Sequence, residues 1–242
     1  MKSQLFELDE KQLGAFRELI VVGDLHGDYD ALQSVLRTAD PFKDCIIFLG
    51  DYADRGASGV EVIAAIDDLL KSRPQNMFAL KGNHEDYPES GSPEWGPWTL
   101  GNEVNRKVGD WRSYLQNKLK PFIQSLYLAI IVPGEILFAH GGVSSKIRNL
   151  DDLRHPTDKI QEAILWSDPF EGLEEHPNRR GAGVEFGIDV TTKVCKLLGV
   201  KRIVRSHQPC MHACMHSQQE LEASSQVKIW LFSVTAPDPW KS

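Results

Sequence analysis

The sequence predicts an α/β fold: two mixed β-sheets packed as a sandwich and flanked by helices, with a polar cluster at the carboxyl ends of the strands. Three observations lead there. Residues 19–22 (LIVV) and 45–49 (CIIFL) are short, apolar and rich in β-branched side chains, as strands buried on both faces are. Residues 28–39 and 58–71 carry apolar side chains at helical spacing, so the first 80 residues alternate strand and helix, which implies right-handed parallel crossovers. The second half is richer in strand-like runs, at residues 126–132, 135–139, 202–205 and 227–234, which makes the sheets mixed.

Taken in order, residues 4–18 space leucine and phenylalanine at near-helical intervals and are expected to form a covering helix or arm. In the first helix Tyr29, Leu32, Val35 and Leu36 share a face. In the second, Val62, Ile63, Ile66, Leu69 and Leu70 do so, with Ser58 as the expected N-cap. Val132-Pro133-Gly134-Glu135 is a hairpin turn by composition. Residues 86–102 (DYPESGSPEWGPWTLGN) hold three prolines and two tryptophans, too broken for a helix or a central strand. They read as a surface loop, with Trp95, Trp98 and Trp111 as packing residues. A substrate-binding wall or lid is the functional alternative.

A chain of 242 residues is read as one domain, residues 1–242. At that length about 70–75% of the unfolded surface is buried, so no disulfide staples are needed. The formal charge of −7 argues against a general nucleic-acid binder. Residues 1–18 lack the apolar segment of a leader and no apolar run is long enough to cross a membrane. With four cysteines (Cys45, Cys195, Cys210, Cys214), that points to a reducing, cytoplasmic compartment.

Each predicted strand runs into polar residues that include a potential metal ligand. The first is followed by Asp24 and His26, the second by Asp51, Asp54 and Arg55, the third by Asn83, His84 and Glu85. Two later ones are followed by His140 and His207. One Gly-Asp after a strand is ordinarily a turn, and one histidine there ordinarily a hydrogen-bonding residue. Five strand ends so equipped favour a metal site, because ligands of open α/β sheets gather at that edge.

The motifs GDLHG, GDYADRG, GNHE, HGG and RSHQ, with LRHPTD, LWSDP, NRRG and LFS around them, resemble in kind and order the phosphoprotein phosphatase family of metal-dependent Ser/Thr phosphatases, within the calcineurin-like metallophosphoesterase superfamily. The resemblance spans residues 20–237. It implies two divalent ions, one on Asp24 and His26, the second on Asn83, His140 and His207, with Asp51 bridging. Oxygen and imidazole ligands suit Mn, Fe, Zn or Co; the family favours Mn or an Fe/Zn pair. The implied reaction is hydrolysis of phosphoserine and phosphothreonine monoesters by a hydroxide bridging the ions, with tolerance for phosphotyrosine and small phosphoesters. His84 would be the general acid, oriented by Asp54, while Arg55, Asn83 and Arg180 would hold the phosphate. The partner is then a phosphorylated protein or peptide, and no regulatory subunit is indicated.

Departures from the family pattern fall at four places. Arg179 stands where the family has an acidic residue and reads as a solvated surface charge. The family's C-terminal tyrosine is missing, with Trp240 as a substitute. Residues 86–102 replace a helical segment. Residues 210–216 hold two cysteines and two histidines without zinc-finger spacing and read as a loop shaping access. Symmetrical diadenosine-tetraphosphate hydrolases share the core, which leaves dinucleoside polyphosphate hydrolysis as an alternative. A non-catalytic binding module would lack a ligand or the acid, and none is missing.

Overall fold

The strand at residues 19–22 sets the layers by its alternation, since successive side chains in a strand point to opposite faces. Leu19 and Val21 join Ile47, Phe78, Ile130 and Phe138 in one cluster. Ile20 and Val22 join Ile46, Phe48, Leu32, Val62 and Ile66 in another. The computed structural model describes residues 3–93, 95–208, 220–223 and 227–232.

In chain order, β1 (Leu5–Glu7) and the single turn α1 (Glu10–Leu13) lead to β2 (Glu18–Val22), α2 (Tyr29–Thr38), β3 (Cys45–Phe48), α3 (Gly59–Ser72) and β4 (Met77–Ala79). A helical stretch follows: α4 (Leu100–Lys107), then α5 (Trp111–Tyr114), which passes through a π turn at Leu115–Leu119 into α6 (Lys120–Ser125). The hairpin of β5 (Ala129–Val132) and β6 (Ile136–Ala139) precedes α7 (Asp151–Arg154), α8 (Asp158–Trp166) and β7 (Asp168–Pro169). Next come β8 (Glu175–Pro177), β9 (Val184–Phe186), α9 (Ile188–Leu198) and β10 (Arg202–Val204). The last two described strands are β11 (Glu220–Ala223) and β12 (Val227–Phe232).

Two mixed sheets result, ordered β11-β12-β2-β3-β4 and β1-β5-β6-β10. Their facing sides enclose the cluster around Val21 and Phe138. The first sheet's outer side packs on α2, α3 and the α4–α6 stretch. On the second sheet's outer side Ile131 and Leu137 meet Ile164 of α8 and Val190 and Val194 of α9. Helices thus cover both sides of a sandwich, as expected. A small third sheet, β7-β9-β8, was not expected, because strands of two or three residues are too short to show a period.

Three local expectations need correction or refinement. Residues 4–18 are not a helix or arm: β1 adds to the second sheet in parallel with β5, and Asp9 caps only the single turn of α1. Leu5 and Leu8 are fully buried, and that burial outweighs a helical spacing carried by few residues. Ser58 stands at the start of α3 but its hydroxyl caps nothing. The Glu103 carboxylate accepts from the Gly59 and Val60 amides instead, at 3.0 and 3.1 Å. The segment from 86 to 99 is a loop as expected, but α4 begins at Leu100. The hairpin turn holds, with the Glu135 amide donating to the Val132 carbonyl at 3.0 Å and Gly134 at φ +80°. No helix among the described residues is long and apolar enough to cross a membrane.

Candidate metal centre and acid pair

Five strands of the two sheets deliver the candidate ligands to one edge. Asp24 and His26 follow β2, Asp51 follows β3, Asn83 follows β4, His140 follows β6 and His207 follows β10. The backbone there is held in conformations that non-glycine residues rarely adopt: φ is +44° at His26, +57° at Asp51, +69° at Asp54, +64° at Arg55 and +72° at His207. Such residues cost about 1–3 kcal/mol each and collect where function over-determines them. Gly50, at φ +109°, permits a close approach: a Cβ there would lie 2.6 Å from Gly82 Cα and 2.9 Å from His140 Nδ1.

Asp51 is central. Its Oδ2 is 3.4 Å from His26 Nε2 and its Oδ1 is 3.4 Å from His140 Nε2. The Oδ1 also accepts the His84 amide at 3.0 Å. The Asp51 amide donates to Glu85, whose carboxylate takes the Gly82 and Tyr52 amides as well. Three backbone donors thus clamp a buried glutamate beneath the site. Burial, together with the neighbouring Asp51 charge, pushes the Glu85 carboxyl up to about 8.

The imidazoles are oriented by carbonyls. His26 Nδ1 lies 3.0 Å from the Ala53 carbonyl and His140 Nδ1 lies 2.8 Å from that of Leu49. With Nδ1–H donating, each Nε2 presents a lone pair inward, as ligand-orienting hydrogen bonds do at metal sites. His140 Nε2 then faces Asn83 Oδ1 at 2.9 Å and His207 Nδ1 at 3.2 Å. His26 Nε2 and His207 Nε2 are buried without a hydrogen-bond partner. Burial lowers the His26 imidazole, and burial followed by the neighbouring His140 lowers that of His207 to about 2. Burial opposes ionisation of Asp51, but the surrounding imidazoles, His140 foremost, outweigh it and hold its carboxyl below the usual range. The lowered His26 and His207 imidazoles favour their neutral, cation-binding forms.

Asp24 is anchored at one oxygen. Its Oδ1 accepts from the Ser206 hydroxyl and from the His207 amide, the latter at 3.1 Å. Its Oδ2 is 3.8 Å from His26 Nε2. Two triads of ligand atoms lie close enough to hold an ion: His26, Asp51 and His84, and Asp51, His140 and His207. His84, expected as an acid and not a ligand, therefore stands within the first triad. Its Nδ1 is taken by Asp54 Oδ2 at 2.8 Å, with both residues buried. Burial disfavours its charge, but Asp51 and Asp54 prevail and raise the imidazole above its ordinary value.

The two arginines sit on opposite flanks. Arg55 is exposed and its charge weighs on His26. Arg180 acts on His207. It is tied by its Nε to Asp168 Oδ2 at 2.8 Å. Arg179 is 93% exposed, 3.8 Å from Glu185, a solvated charge as expected. Asp168 also takes Arg205 at 3.0 Å and Asn178 Nδ2 at 3.1 Å. Neither Asp168 nor Arg205 was singled out from sequence, although LWSDP and RSHQ contain them.

The calcineurin-like phosphoesterase family matches residues 18–211, which cover every residue of this cluster. The chain belongs to that family. A serine/threonine-protein phosphatase of Caenorhabditis elegans is 35% identical over 196 residues, 78% of this chain and 42% of its own length. A PP2A-like serine/threonine-protein phosphatase of Saccharomyces cerevisiae is 32% identical over 210 residues, 78% of this chain and 55% of its own. The solved structure of a Saccharomyces cerevisiae serine/threonine phosphatase with similarity to human PP5 superposes with a TM-score of 0.74 at 26% identity, covering 95% of this chain and 71% of that one. The chain spans about half the length of the curated relatives it matches.

In this calcineurin-like phosphoesterase the loop after Glu85 folds back to the His84–Asp54 pair. Asp54 Oδ1 accepts the Thr99 and Leu100 amides at 2.6 and 2.8 Å, so one carboxylate holds both His84 and the start of α4. Trp98 and Trp111 pack on the core, as expected. Trp95 does not follow that expectation: its ring lies 4.3 Å from that of His84. Composition marks the loop as unusual but carries no signal for which tryptophan faces the site. Residues 210–216 and Trp240 lie outside the described residues.

Proposed function

We propose that this chain hydrolyses phosphoserine and phosphothreonine monoesters with two divalent metal ions, and that residues 1–242 act as one catalytic domain. The observation that carries this reading is the convergence of Asp24, His26, Asp51, Asn83, His140 and His207 at one sheet edge, beside the hydrogen-bonded His84–Asp54 pair. The residues fit metal ions. His26 Nε2 is buried and unpartnered, and His140 Nε2 lies 2.9 Å from Asn83 Oδ1 and 3.2 Å from His207 Nδ1. Such a convergence of nitrogen and oxygen atoms suits a cation.

Asp24 and His26 would hold one ion, Asn83, His140 and His207 the other, with Asp51 shared. Oxygen and imidazole donors suit Mn²⁺, with an Fe/Zn pair as the alternative. When bound, such ions supply Lewis-acid polarisation of the phosphoryl group and an acidified water. The remaining work falls to side chains of this chain. Arg55 and Arg180 present planar guanidinium groups to phosphoryl oxygens, and Asn83 contributes its amide. Asp54 holds His84 Nδ1, which leaves Nε2 to donate a proton to the leaving alkoxide. The raised imidazole of His84 keeps that proton in place above its ordinary range. The substrate partner is a phosphorylated protein or peptide. Cytoplasmic placement is supported by Cys45 and Cys195, both buried free thiols.

Turnover by metal-stripped protein, with and without added Mn²⁺, on a phosphothreonine peptide beside diadenosine tetraphosphate tests this. Mn²⁺-dependent phosphate release from the peptide is expected. Preferential cleavage of the dinucleotide would replace the substrate class, and hydrolysis of neither would end the reading.

A further inference from the structure

The geometry points to Trp95 as a specificity-determining residue: its indole forms one wall of the space where the leaving group sits, and so favours phosphoesters whose leaving group is aromatic. This inference rests on His84 being the acid of the proposed phosphatase reaction.

The His84 ring is flanked by three residues. His26 covers it on one side, edge-on, at 4.8 Å between centroids. Asp54 takes Nδ1. Trp95 packs against it at 4.3 Å, tilted by 59°. The nitrogen that remains, Nε2, has no hydrogen-bond partner among the described residues. A leaving-group oxygen that takes its proton there must come within about 3 Å of it. The substituent on that oxygen therefore lies beside the His84 ring, against which the indole packs.

Trp95 is also held in place. Its ring meets Tyr87 edge-on at 5.7 Å, and the Tyr87 hydroxyl accepts from Trp98 Nε1 at 3.1 Å. Trp98 packs on Trp111 at 5.4 Å, and Trp111 Nε1 donates to the Gly91 carbonyl at 3.2 Å. Tyr87, Trp98 and Trp111 all pack on the core beneath, whereas Trp95 stands outside that cluster and half-buried. A half-buried aromatic ring held by such a cluster can serve as a stacking platform. A second ring set against it gains the offset or edge-to-face contact that aromatic pairs prefer.

The test compares two peptides identical except for phosphotyrosine or phosphothreonine, hydrolysed by Mn²⁺-loaded wild type, Trp95→Ala and Trp95→Phe. An aromatic pair contributes enough to change affinity about three- to tenfold. Trp95→Ala is expected to raise KM for the phosphotyrosine peptide by about that factor more than it raises KM for the phosphothreonine peptide. Trp95→Phe, which keeps an aromatic face, is expected to retain most of the preference. An equal change in KM for both peptides, or a fall in kcat alone, would overturn the inference and leave Trp95 as a support for His84. So would wild-type hydrolysis of phosphothreonine with none of phosphotyrosine. Hydrolysis of neither peptide by the wild type would overturn the phosphatase reading itself, and this inference with it.

Discussion

His84 stands between two roles that its surroundings separate. Its ring belongs to a triad with His26 and Asp51 that is compact enough for a metal ion, yet its Nδ1 is committed to Asp54. Two buried carboxylates beside it hold the imidazole protonated above its ordinary range, which suits a proton donor and not a ligand. His84→Ala is therefore expected to lower kcat by about 10²- to 10⁴-fold while the protein keeps its bound metal, measured by elemental analysis beside steady-state kinetics. Loss of metal from that variant would make His84 a ligand. The candidate ligands were legible in the sequence because each follows an apolar strand that ends in a short polar motif. Asp168, Glu85 and Trp95 were not, because what they do depends on partners distant in the chain: Arg180 and Arg205 for Asp168, the Asp51 and Tyr52 amides for Glu85, and the His84 ring for Trp95.

At the scale of elements, strands and helices hold one another's ends. The first amides of α3 are satisfied by Glu103 of α4, and those at the start of α4 by Asp54, so the far end of the loop after Glu85 is tied to the carboxylate that also holds His84. Glu103 is 3% exposed and also receives Lys107 Nζ at 3.0 Å. Glu103→Ala leaves the buried Gly59 amide and the half-buried Val60 amide without that acceptor. It is expected to lower Tm by roughly 2–8 °C, the effect of losing a helix cap in a chain of this length, with Glu103→Gln intermediate; differential scanning calorimetry reads both. An unchanged Tm would mean that water replaces the cap. The helices α2 and α3 were visible from their periodicity to within a residue or two. The cap of α3 was not, because a side chain from another helix took the place that Ser58 would ordinarily fill. Residues 4–18 misled for a related reason: β1 is a strand because β5 offers it a partner, which no local pattern reveals.

Across the whole molecule, strands from both sheets end at the same edge, with β2, β3 and β4 from one and β6 and β10 from the other. The pairing of β2 with β3 and β12 in parallel, and of β6 with β10, aims their carboxyl ends in one direction. Burial of His26, Asp51, His84, His140 and His207 gives their charges the low-dielectric surroundings in which they act strongly. The sandwich and its site edge were legible, because apolar strands stopped by polar motifs are a long-range pattern that survives in one sequence. The third sheet was not, since β7, β8 and β9 are held by pairing and contact, with no period of their own.

We propose that these strand ends form one site for two ions. The most direct test is the metal content of Mn²⁺-loaded wild-type protein after gel filtration in metal-free buffer. Two ions per chain are predicted, falling to none or nearly none in Asp51→Asn, whose neutral amide cannot serve both. Fewer than two ions in the wild type, or full metal content in Asp51→Asn, would contradict it.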